Sequence, residues 1–201
     1  MALELEYKFQ LPSDDLLTEL LNAPEITALL DTPFRELPME TTYFDREDRC
    51  LSQHRWTLRH RMEGEESVVC LKTPGSLAHS RNEWQVNAPC MSADAIRELI
   101  RQGAPEELLS YYEESPPLPI CGAKFLRRCA MLTFSDGSRA ELALDQGHVF
   151  GSKGNLPILE LELELYQGEA TEMTRFAALI ARIYGLKEQP YSKFARASSL
   201  R

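Results

Sequence analysis

Three short stretches place charged side chains at every second position: ELEYK at 4–8, LRHRM at 58–62 and ELELE at 160–164. Side chains alternate across a strand, so Glu4, Glu6 and Lys8 share one face, as do Arg59 and Arg61, and Glu160, Glu162 and Glu164. The same parity recurs at Lys72, at Arg81, Glu83 and Gln85, and at Glu141 and Asp145, while the alternate positions are mostly Leu, Val, Met or Trp. Clustered carboxylates suit hard divalent cations, and clustered Arg and Lys suit phosphate oxygens. Together they are what metal-assisted phosphoryl chemistry requires.

A plain antiparallel sheet with one solvated face has the same alternation. Two features weigh against it. Thr, Ser and Gln, which favour exposed strands, are scarce at these positions, and three glutamates on one strand face repel one another unless cations lie between them. A closed barrel resolves both, with the charges inside and the apolar face outside under helices.

The elements that must carry these residues can be read in order. Strand 3–11 is followed by a helix capped by Ser13 and stopped by Pro24. Strands are expected at 39–45, 56–62 and 67–75, the last two forming a hairpin through EGEE, and at 81–87. Ser92 caps a helix closed by Gly103, and PEELLSYY makes a shorter one. After the rigid loop SPPLP at 115–119 come strands at 124–134, 139–147 and 157–168. Thr171 is expected to cap a long amphipathic helix ended by Gly185, and Pro190 to start a final one. In KFLRRCAML, Arg127 and Arg128 have opposite parity, and the apolar partners of Arg128 point to Arg127 as the inward residue. Neither repeats nor linkers break the 201 residues, so residues 1–201 read as one α+β domain built on about eight strands.

A formal charge of −9 argues against general nucleic-acid binding, though not against a local anion site. Five cysteines without a C-x-x-C pair read as free thiols rather than a disulfide or zinc framework. His54, His60, His79 and His148 do not converge on a site. The acidic start and the lack of a long apolar run predict a cytoplasmic protein without a membrane span.

In this order and spacing, Glu4-x-Glu6-x-Lys8, TYFD at 42–45, LRHR at 58–61, LKTPG at 71–75, RNE at 81–83, LDQG at 144–147 and ELELE at 160–164 resemble the CYTH superfamily, the triphosphate tunnel metalloenzymes. Within it, the ALDQG and PILELELEL segments are most similar to bacterial inorganic triphosphatases. The resemblance implies a closed eight-stranded antiparallel barrel with helices packed outside. It implies Glu4, Glu6, Glu160 and Glu162 as ligands of Mg²⁺ or Mn²⁺, with Glu164 farther along the tunnel. Lys8, Arg59, Arg61, Lys72, Arg81 and Arg127 correspond to triphosphate-binding positions, and Lys193 and Arg196 to a basic C-terminal helix closing one mouth. Glu83, Glu141 and Asp145, with Lys72, are the implied catalytic set; the three acids could equally pair with the lumen arginines. The implied substrate is a small linear triphosphate, foremost inorganic tripolyphosphate. Thiamine triphosphate hydrolysis, adenylate cyclisation on the same barrel and a polyphosphate sensor without turnover are the rival readings. Trp56 and Trp84 have outward parity, which speaks against an aromatic platform for thiamine.

Overall fold

The computed structural model describes residues 5–75 and 81–201. Glu4 and His79 therefore lie outside the described residues. The strands are β1 (Glu6–Gln10), β2 (Arg35–Asp45), β3 (Thr57–Glu63), β4 (Glu66–Pro74), β5 (Arg81–Asn87), β6 (Leu118–Thr133), β7 (Arg139–Gly151), β8 (Gly154–Gln167) and β9 (Lys187–Glu188). They form one antiparallel sheet in the order β5-β4-β3-β2-β6-β7-β8-β1-β9. Among the described residues no pairing joins β5 to β9. The expected closed eight-stranded barrel is thus corrected to an open nine-stranded sheet, curled so that β1 and β3–β5 line one cavity.

Helices α1 (Asp14–Leu20), α2 (Pro24–Thr27) and α6 (Ala170–Tyr184) cover the outer face of β1 and β6–β8. Leu20, Ile26, Met173 and Ile180 pack there on Phe9, Leu142, Leu144, Leu161 and Leu163. Helices α3 (Cys50–Gln53), α4 (Ala93–Arg101) and α5 (Glu107–Glu114) cover β3–β5 through Leu51, Ile96, Leu99 and Leu108, on Leu58, Val69, Leu71 and Val86. Trp56 and Trp84 join this outer core, as their parity requires.

The last helix, α7 (Lys193–Ser198), is the one expected to close a mouth, and unlike the others it does not pack on the outer face. It lies on the inward face at one end of the curl, where Met39, Tyr43, Cys121, Ala123, Phe125, Val149 and Ile158 make an apolar floor for Ala197 and Phe194. The Tyr43 and Phe194 rings meet at 5.0 Å. Inward parity therefore means charged at one end of the sheet and apolar at the other.

Several expected boundaries move for local reasons. Ser13 and Ser92 cap their helices as expected, accepting from Leu16 N and Ala95 N. Pro24 does not stop α1; it opens α2, where its fixed φ suits the first turn. Glu169, not Thr171, occupies the cap of α6, after the turn at Gly168 (φ 91°). Ser192, not Pro190, caps α7 through Ala195 N. Only part of SPPLP is a loop, because Leu118 and Pro119 pair with β2 at a register shift beside Phe44, where a residue lacking an N–H is tolerated.

Candidate active site

The concave face encloses a cavity of about 660 Å³. Register places its acids in rows across three strands. Glu6 lies opposite Glu164, which lies opposite Glu141. One step deeper, Lys8 faces Glu162, and deeper still Gln10, Glu160 and Asp145 follow, with Arg127 opposite Asp145. Across the cavity stand Arg59, Arg61, Lys72, Arg81 and Glu83 of β3–β5. An acidic wall thus faces a basic one.

Burial governs the acidic wall. The Glu6 carboxyl is pushed up to about 7 by desolvation and by its neighbour Glu162, with which it can share a proton. Lys8 sits 3.3 Å from Glu6 and 3.4 Å from Glu162. Burial works against the Glu162 charge, yet Lys193, Arg127 and Lys8 outweigh it and hold this carboxyl well below its ordinary range.

On the basic wall, burial would raise the Glu83 carboxyl, but Lys72 at 2.9 Å and Arg59 at 3.2 Å bring it down to about 2. Cys70, buried beneath, donates to the same carboxylate at 3.0 Å. Desolvation and the neighbouring Arg59 lower the Arg61 guanidinium, which donates to Thr41 Oγ1 and to Glu63 at 3.1 Å.

Of the residues singled out in the sequence, Glu6, Lys8, Arg59, Arg61, Lys72, Arg81, Glu83, Arg127, Glu141, Glu162 and Lys193 line the cavity. Glu164, placed farther along the tunnel by the resemblance, lines it too. Asp145, Glu160 and Arg196 do not; they form an ion-pair cluster at the α7 end. There Asp145 and Glu160 are fully buried, Arg196 donates to Glu160 at 2.6 Å, and Arg127 holds Asp145 at 2.7 Å and Glu162 at 2.5 Å. Arg128 points the other way, to Glu36 and Gln146. Glu63, Tyr43, Thr57 and Phe194 are also among the lining residues and were not singled out as site residues. Glu63 shares the parity of Arg59 and Arg61, a usable signal obscured by its place beside a turn. Phe194 gave none, since its role depends on α7 lying inside the curl.

Residues 2–198 match the CYTH domain, and the chain belongs to that family. An inorganic triphosphatase of Haemophilus influenzae is 30% identical over 148 residues, covering 71% of this chain and 40% of that protein. The chain thus spans well under two thirds of that relative's length. The fold is shared with a Hippeastrum adenylyl cyclase candidate described as having a dominant triphosphatase activity (TM-score 0.63, 17% identity, 96% of this chain and 94% of that one). It is also shared with an adenylate cyclase candidate from Bacillus halodurans (TM-score 0.56, 17% identity, 94% of this chain and 93% of that one). At such identities the likeness is one of fold.

The donor set suits a hard divalent cation: it is all carboxylate oxygen, and two of its members, Glu6 and Glu162, lie close enough to share a proton where a cation would relieve them. No helix among the described residues is long and apolar enough to cross a membrane.

Proposed function

We propose that this protein hydrolyses linear triphosphates in the cytoplasm, cleaving inorganic tripolyphosphate to pyrophosphate and orthophosphate with Mg²⁺ or Mn²⁺. The observation that carries the reading is one cavity with Glu6, Glu141, Glu162 and Glu164 on one wall and Arg59, Arg61, Lys72 and Arg81 on the other. The named activity of the Haemophilus influenzae relative supports it.

In this reading Arg59, Arg61, Lys72, Arg81 and Lys8 bind the phosphate chain and neutralise it. Glu83 holds Arg59 and Lys72 in place before substrate arrives, then yields them to phosphate oxygens. A carboxyl held near 2 is no proton acceptor at neutral pH, so Glu83 orients rather than acts as a base. Glu6, with Glu4, Glu141, Glu162 and Glu164, would hold the cation, which when bound would neutralise and polarise phosphoryl oxygens. Water adds to a terminal phosphorus and gives up a proton to solvent, the bond to the bridging oxygen breaks, and pyrophosphate and orthophosphate leave. Arg127, Lys193 and Arg196 are spent on Asp145, Glu160 and Glu162 and belong to the support of the site rather than to substrate.

The aromatic groups favour a site that reads phosphate alone. Tyr43 and Phe194 pack on each other with their rings tilted by 53°, and both tryptophans are committed to the outer core. A phosphate-release panel tests this. Tripolyphosphate should be hydrolysed much faster than thiamine triphosphate or ATP, and only with divalent metal. Cyclic AMP formation outpacing tripolyphosphate cleavage would assign a cyclase, and tight binding without phosphate release a sensor.

A further inference from the structure

Asp145, Glu160 and Glu162 offer carboxylate oxygens that all lie within 4.8 Å of one another. A hard divalent ion with ligand bonds of about 2.1 Å spans opposed oxygens roughly 4.2 Å apart, so the cage has the dimensions of a metal site. It is nevertheless filled. Lys193 Nζ lies 2.8 Å from Asp145 Oδ2 and 2.7 Å from Glu162 Oε1, and it contacts Glu160 Oε1 as well. An ammonium has three donors and no acceptor, and here it donates a hydrogen bond to Glu162 Oε1 while pairing by charge with Asp145 and Glu160. Arg127 donates to the outer oxygen Asp145 Oδ1 and shares Oδ2 with the lysine, and the outer oxygens of Glu162 and Glu160 are taken by Arg127 and Arg196. The lysine side chain is 8% exposed, Asp145 0% and Glu160 1%, so this is a desolvated cation site with its cation supplied by the chain.

We infer that Lys193 is a built-in cation that holds the place of a metal ion in the Asp145–Glu160–Glu162 cage, so that the cage excludes divalent cations while α7 is seated. Two consequences follow. Seating of α7 and metal occupancy of the cage are mutually exclusive, because both need the same oxygens. The metal of the proposed reaction is then kept to the row of Glu6, Glu164 and Glu141, with Glu162 at its inner edge, a consequence that rests on the function proposed above, whereas the exclusion itself does not. Lys193 is in this sense a positioning residue: it fixes Glu162 between itself, Arg127 and Lys8 and so sets the inner boundary of the acidic wall.

The test is a Mn²⁺ titration followed by electron paramagnetic resonance, without substrate, on the whole chain. If the wild type binds n ions, Lys193→Ala should bind n + 1, and the added ion should disappear in Lys193→Ala combined with Glu160→Gln. The same count n in Lys193→Ala would overturn the inference, as would loss of an ion from the wild type on Glu160→Gln alone. Should Lys193→Ala not fold in chelator, Mn²⁺ is expected to restore its cooperative unfolding transition; failure to do so counts against the inference. A wild-type value of n = 0 would instead refute metal binding at the open row and leave the comparison of the two proteins decisive for the cage.

Discussion

Two glutamates of the cavity are held in opposite charge states by the same physics. Desolvation and Glu162 raise Glu6 from 4.5 to about 7, so folding favours its neutral form. Its stabilising contribution is present below pH 4.5 and is lost as the pH climbs through 7. Glu6→Gln, which keeps the shape without the charge, should therefore raise the metal-free melting temperature at pH 8 by roughly 2–4 °C and leave it unchanged at pH 4. Calorimetry in chelator reads this, while phosphate release should fall by about 100-fold or more. Glu83 behaves inversely. Lys72 and Arg59 overcome its burial and hold it at about 2, so its contribution is present above 4.5 and is lost as the pH falls towards 2. Glu83→Gln should cost about 1–2 kcal/mol at pH 7, with the difference from wild type closing in acid, as denaturation at both pH values would show. Arg59→Ala should weaken tripolyphosphate and ATP alike, by about 1.5–3 kcal/mol in competition binding, since both offer it the same phosphate oxygens.

At the scale of elements, alternation made most of the sheet legible. The charged parity of 4–8, 58–62, 81–85 and 160–164 predicted which side chains of the described residues meet, and the structure brings Glu6, Arg59, Arg61, Lys72, Arg81 and Glu162 to one cavity. Parity could not reveal depth. Glu160 and Glu164 share a face, but only register shows that Glu164 sits opposite Glu6 while Glu160 sits beneath Arg196. Nor could parity reveal α7, because six residues capped by Ser192 look like any short surface helix until the apolar inner residues Tyr43, Phe125 and Ile158 are seen to need cover. The LDQG motif is explained at this scale too. A Cβ on Gly147 would lie 2.3 Å from Lys124 O and 2.5 Å from Phe125 Cα, so only glycine lets β6 and β7 pair there under α7. Gly147→Ala should destabilise the protein by about 2 kcal/mol or more by urea denaturation. Phe194→Ala should speed amide exchange in α7 and the 151–154 hairpin, which Leu200 O joins by accepting from Lys153 N, while sparing α1, α2 and α6 on the far face.

For the whole molecule, a formal charge of −9 coexists with a basic cavity wall because the curl of the sheet sorts the charges. The acids of β1, β7 and β8 are gathered on one side of the cavity and the arginines and lysines of β3–β5 on the other. Closure through hydrogen bonds is not needed for this. An open sheet with α7 sealing one end of its concave face encloses the same space. The central claim is that this space holds a cation on the acidic wall and a triphosphate on the basic one. Crystals grown with Mn²⁺ and a non-hydrolysable imidotriphosphate test it most directly through the anomalous signal of the metal. The account predicts a Mn²⁺ peak ligated by Glu6 and its row partners, with phosphates against Arg59, Arg61, Lys72 and Arg81. A metal peak away from Glu6, or phosphates bound outside the cavity, would contradict it.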